Sequence, residues 1–116
     1  MKRLEVKLDG CNRITVLTKR YAIKIPNIRS YTQTLWGLLD NTNEVKCRKL
    51  EGVCPVIFWL PLGILNVMPR CTPISDDQFS SLNYEAYRMR GVTVEYKRCS
   101  FGLLNGRIVA VDYGVF

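Results

Sequence analysis

The chain contains no histidine. That absence removes the commonest general base, and with it every Ser-His or Cys-His nucleophile system. The five cysteines, Cys11, Cys47, Cys54, Cys71 and Cys99, include no C-x-x-C pair, so a zinc site has neither imidazole nor paired thiolates to build on. An odd, well-spread set reads as reduced thiols in a cytosolic protein rather than as a secreted disulfide scaffold. Runs of five or six like charges are missing, and so are Gly/Ser tracts and internal repeats. The longest uncharged run, "VCPVIFWLPLGILNVM" (Val53 to Met68), is shorter than the roughly 20 residues that span a bilayer, and Pro55, Pro61 and Gly63 interrupt it. It reads as two buried strands, Val56 to Leu60 and Ile64 to Met68, joined by a turn. The opening "MKRLEVKLDG" has basic residues with no apolar stretch behind them, which is not the pattern of a signal peptide, and no membrane partner is expected.

What is present fits one folded unit. The 116 residues, 47% of them hydrophobic, can build a core and match the size of one domain spanning 1–116. Seventeen Lys and Arg against ten Asp and Glu leave a net charge of +7, heaviest in the first fifty residues. Such a surplus favours acidic partners, whether nucleic acid, nucleotide phosphates or an acidic protein face, and it also serves plain solubility.

Alternation of apolar and charged residues in "RLEVKL" (Arg3 to Leu8) has the period of a half-buried strand. Asp9-Gly10 turns the chain into "RITVL", and "TKR" turns it again into "RYAIKI". Ser30 is placed to cap a helix carrying Leu35, Trp36, Leu38 and Leu39 on one broad face. A second helical stretch covers Asn43 to Leu50, with Gly52 as its stop, and the two stretches could be one broken helix. Ser75 with Asp76 and Asp77 starts another helix, in which Phe79, Leu82, Ala86 and Met89 share a face up to Gly91. "VTVEY" and "RIVAVDY" read as strands, and Asn105-Gly106 marks a tight hairpin. The sum is an α+β fold: an antiparallel sheet of about five strands, packed helices and a C-terminal β-hairpin.

Several residues in this order resemble the protein-kinase superfamily. "YAIK" (Tyr21 to Lys24) is similar to that family's third-strand V-A-I-K, whose lysine neutralises nucleotide phosphates. Glu44, on the following helix, matches the glutamate that pairs with the lysine. "ILNVMPR" resembles the fifth strand and hinge that hold the adenine edge. In "VEYKRCSFGLLNGRIVAVDYG", Asp112-Tyr113-Gly114 stands where the family has Asp-Phe-Gly, which puts Asp112 in the magnesium position. The resemblance implies a minimal kinase-like domain that ends with its nucleotide cleft and takes ATP and Mg2+, with Lys24, Glu44 and Gly10 on the nucleotide and Asp112 and Ser100 on the metal.

Departures from the family pattern are as informative. Glu95 stands at the catalytic aspartate position with no His-Arg-Asp before it, and Ser100 replaces the metal-binding asparagine. "DGCNR" offers only Gly10 where a phosphate-covering loop needs three glycines. In the sequence as read only Val115 and Phe116 follow Gly114, where the family pattern continues into a peptide-gripping lobe. Because positioning and metal electrostatics supply nearly all the rate of phosphoryl transfer, the resemblance implies a degenerate binding or regulatory module, with Glu95 as the one base available to an active enzyme.

Plainer alternatives stay open: a solvated strand-end lysine for Lys24, a surface helix residue for Glu44, and a turn-capping acid for Asp112. Trp36 and Trp59 lie inside apolar patterns and are expected in the core. Tyr87, with Arg88, Arg90, Lys97 and Arg98, forms a candidate interaction surface. Two further roles remain open, a small mobile-element-type inhibitor docking on an acidic protein or a nucleic-acid-bound complex, and a basic nucleic-acid binder whose affinity falls with salt. The kinase-like expectation requires Lys24 and Asp112 to converge on one hollow.

Overall fold

The computed structural model describes residues 5–9, 13–92 and 94–113. Three antiparallel strands open it: β1 (Glu5–Asp9), β2 (Arg13–Leu17) and β3 (Tyr21–Pro26). Thr18 closes the turn between β2 and β3, its backbone N–H donating to the Tyr21 carbonyl at 2.8 Å. Helix α1 (Tyr31–Cys47) follows as one continuous helix in place of the two stretches, or one broken helix, expected there. Ser30 caps it as expected, its hydroxyl accepting from the Gln33 N–H. Strand β4 (Phe58–Leu60), a 3-10 turn (Pro61–Gly63) and β5 (Leu65–Pro69) complete a five-stranded antiparallel sheet in the order β1-β2-β3-β5-β4.

A second sheet is built from β6 (Thr72–Pro73), β7 (Phe101–Leu104) and β8 (Arg107–Ala110), in that order. Asn105 and Gly106 turn β7 into β8 with φ of 53° and 79°, the left-handed pair that a type I′ hairpin requires. The expected helix from Ser75 to Gly91 is instead two short ones, α2 (Asp76–Ser80) and α3 (Tyr84–Met89). Asn83 explains the split: its side chain accepts from the Ala86 N–H and caps a new helix, so the chain restarts rather than continues. Consequently Met89 is exposed. Val94 is buried, yet no strand forms at "VTVEY" among the described residues, because the Val92 N–H returns to the Tyr87 carbonyl at 3.0 Å.

The hydrocarbon core lies along the small sheet. Val53, Val56, Ile74, Tyr87, Phe101 and Val109 pack there, and the Tyr87 and Phe101 rings meet edge to face at 5.3 Å. Residues 52–54 run beside β8, exchanging backbone hydrogen bonds with Ala110 at 2.8 Å. Tyr113 is fully buried and its hydroxyl donates to the Cys54 carbonyl, which fixes the segment after β8 against the same strip. Among the described residues no helix is long and apolar enough to cross a membrane.

Candidate functional site

Antiparallel register decides which side chains share the inner face of the large sheet. Thr15 on β2 lies opposite Lys24 on β3, and Lys24 lies opposite Asn66 on β5. Side chains alternate faces along a strand, so Arg13, two residues before Thr15, points the same way as Lys24. All four of these side chains are buried.

Helix α1 meets this face with its polar side. Gly37, Asp40, Asn41 and Glu44 are its buried residues, a spacing of three and four that forms one stripe. The expected apolar side is turned away: Leu35, Trp36 and Leu39 are exposed. Trp59 is also exposed rather than in the core, with the Arg48 guanidinium 4.4 Å from its ring centroid. The reason lies in what the sheet presents. Two buried cations on its inner face need anions and amide oxygens opposite them, since a buried charge without a partner is far more costly than an exposed leucine.

Glu44 is the centre of the cluster, with a side chain 0% exposed. One carboxylate oxygen takes the Arg13 guanidinium at 2.8 Å and the other takes the Lys24 ammonium at 3.0 Å. Asn66 Nδ2 donates to Glu44 Oε1 at 3.5 Å and to the Asn41 carbonyl at 3.0 Å. Asn41 links the layers: it accepts from Arg13 at 3.1 Å and donates to the carbonyls of Lys24 at 3.1 Å and Gly63 at 2.9 Å. The turn can come this close because Gly63 has no side chain; a Cβ there would lie 2.1 Å from the Leu38 carbonyl oxygen. Burial alone would raise the Glu44 carboxyl, but Arg13 and then Lys24 outweigh it and hold it down at about 2. Burial also works against the Arg13 charge, which Glu44 and Asp112 overcome, keeping the guanidinium above its ordinary range.

The last described residues join from the other side. Lys24 Nζ donates to the Val111 carbonyl, and Arg13 Nη2 donates to Asp112 Oδ1. Asp112, with its side chain 21% exposed, reaches from the cluster to a cavity of about 560 Å³ that Lys24 also lines. Leu17, Ala22, Met68 and Phe101 give this cavity apolar walls, and Lys97 and Arg98 add cations to its lining.

The structure therefore brings together Lys24, Glu44 and Asp112, three of the residues singled out in the sequence. Ser100 is close by in the chain path: its carbonyl accepts the Val111 N–H at 2.9 Å, while its buried hydroxyl has no hydrogen-bond partner. Glu95 is not brought in. It is exposed, paired with Lys97 at 3.1 Å, and does not line the cavity. Gly10 lies outside the described residues.

The expected interaction surface divides. Tyr87 is only 6% exposed and its hydroxyl donates to the Ile108 carbonyl, so it is a core residue. Arg88 is exposed beside Glu85, and Arg90 is exposed near the Tyr87 ring, whereas Lys97 and Arg98 belong to the cavity. Arg13, which pairs with both Glu44 and Asp112, is the cluster residue that no sequence motif singles out. Its signal was the period-two alternation that puts it on the same strand face as Thr15, opposite Lys24.

Among the described residues no group of three or more Cys, Asp or Glu is placed to hold a metal ion. The chain matches no protein-family model and no curated protein.

Proposed function

We propose that this protein is a kinase-like module that binds a nucleotide and does not transfer its phosphate. One observation carries the reading: the Lys24 ammonium, held between Glu44 at 3.0 Å and the Val111 carbonyl, lines the same cavity as Asp112. An ammonium has three N–H donors, so these two contacts leave one for a phosphate oxygen. A cavity of about 560 Å³ is within the size range of small-molecule sites. Its apolar walls suit a planar base, and Lys97 and Arg98 suit a polyphosphate.

The donor set does not fit a tightly held magnesium ion. Magnesium needs near-octahedral oxygen ligands and usually draws on one or two free carboxylates. Asp112 already accepts from Arg13, and Ser100 offers only a neutral, buried hydroxyl. Arg13 thus supplies beside Asp112 the positive charge that a cation would bring. With Glu95 outside the cavity, no described carboxylate is both free and within reach to serve as base. Nucleotide binding without turnover is the chemistry left.

The test is thermal unfolding of the full chain with millimolar ATP. A ligand that binds only the folded state raises the melting temperature with concentration. The expected result is a rise in the unmodified protein, its loss in Lys24→Met, and its retention in Arg88→Ala, which is exposed and away from the cavity. Absence of any rise in the unmodified protein would remove the nucleotide reading.

A further inference from the structure

Two cysteines stand side by side in the wall of the same cavity. Cys54 is the last residue of the strip paired to β8, and Cys71 lies in the connection between β5 and β6. Their sulfurs are 3.4 Å apart, both side chains line the cavity, and both thiols are free. Each thiol is also within reach of the Pro69 carbonyl, at 3.5 Å from Cys54 and 3.8 Å from Cys71. Cys71 packs against Gly102, where a Cβ would lie 2.7 Å from the Cys71 Cβ.

The geometry points to a redox modification site: we propose that Cys54 and Cys71 form a reversible intrachain disulfide when the protein meets a peroxide or a low-molecular-weight disulfide. The sulfurs need only close from 3.4 Å to the roughly 2.05 Å of a bond. The two cysteines have different parts. Cys71 is half-buried, so its sulfur is the one an oxidant in the cavity can reach, and the nearby Lys24 ammonium favours its thiolate. Cys54 is 1% exposed, out of reach of an oxidant until Cys71 presents one, and burial pushes its thiol up. Cys71 is therefore the attacking sulfur and Cys54 the resolving one.

With hydrogen peroxide, the Cys71 thiolate attacks one oxygen and the O–O bond breaks. Hydroxide leaves, takes a proton to become water, and Cys71 is a sulfenic acid. Cys54 sulfur then attacks the Cys71 sulfur and expels hydroxide, which takes the Cys54 proton and leaves as a second water. Two thiols have lost two electrons and two protons, and the peroxide has been reduced to two waters. With oxidised glutathione, the Cys71 thiolate attacks one sulfur, the glutathione S–S bond breaks and the first glutathione leaves as a thiolate that takes a proton. Cys54 sulfur then attacks the Cys71 sulfur of the mixed disulfide and displaces the second glutathione, which leaves as a thiol with the Cys54 proton. The new bond ties the segment after α1 to the β5–β6 connection, two walls of the cavity, and so fixes its width. This inference holds whatever occupies the cavity.

The experiment oxidises the full chain with hydrogen peroxide or oxidised glutathione, blocks the remaining thiols, and maps peptides without reduction. The expected product is a Cys54–Cys71 cross-linked peptide with the loss of two hydrogens, reversed by dithiothreitol. In Cys54→Ser, glutathione is expected to stay on Cys71 as a mixed disulfide. The proposal is overturned if Cys71 pairs with the exposed Cys99 instead, if Cys54 and Cys71 both remain free thiols, or if a mixed disulfide persists on Cys71 with Cys54 intact. Should Cys54→Ser fail to fold, the peptide map of the unmodified sequence decides alone.

Discussion

On its sheet-facing side α1 buries Asp40, Asn41 and Glu44, while the neighbouring segment from β4 to β5 leaves Phe58, Trp59, Leu60, Leu62 and Ile64 between 37% and 80% exposed. Charge is inside and hydrocarbon outside within one layer of the molecule. The small sheet does the opposite: Phe101, Val109 and Ala110 are buried there and Arg107 is exposed. The contrast teaches that the two halves are held by different forces. Around the small sheet, removal of apolar surface from water drives packing. Around α1, mutual satisfaction of Arg13, Lys24, Glu44 and Asn66 fixes where the helix sits, and such a cluster tolerates the loss of a partner poorly.

Glu44 separates the two halves most sharply. Glu44→Gln leaves two buried cations undercompensated and is expected to cost about 3–5 kcal/mol, whereas Phe58→Ser on the exposed strand should cost under about 1 kcal/mol. Urea unfolding of both variants measures the difference, and equal costs would erase the distinction between the two halves.

Acid should act through the same carboxylate. The Glu44 pKa is lowered from 4.5 to about 2 in the fold, so its contribution is fully present above 4.5 and is lost as pH falls through about 2. Linkage gives this contribution a size of about 3 kcal/mol. A pH series of unfolding midpoints should show that acid limb in the unmodified protein and a shallower one in Glu44→Gln.

Gly63 tests whether the turn must seat against α1. Gly63→Ala would press a methyl on the Leu38 carbonyl at a position with φ of 76°, and a loss of about 2–3 kcal/mol is expected in the same unfolding assay. At the small end stands Leu62, 80% exposed with φ of 63°. Leu62→Gly relieves that left-handed strain and should raise stability by about 0.5–1 kcal/mol. A clear loss there would mean that the exposed leucine contributes packing.

Local signals in the sequence were sufficient where local physics decides. Ser30 and Ser75 cap as expected, and Asn105-Gly106 turns the hairpin. Lys24 and Glu44, singled out by motif, do pair. What was illegible depended on distant partners. The apolar side of α1 looked like its inner face because hydrophobicity alone cannot reveal that Arg13 and Lys24 wait on the sheet. Trp36 and Trp59 followed the same error. The break between α2 and α3 was hidden because Asn83 reads equally as a helix residue and as a cap.

If Arg13 takes the place of a cation beside Asp112, as proposed, ATP does not need magnesium to bind, and calorimetric titration of the full chain with ATP, once in EDTA and once in magnesium, decides this. Binding in EDTA with an affinity within about threefold of that in magnesium, a free-energy difference of well under 1 kcal/mol, is the predicted result. Binding that requires magnesium would contradict it.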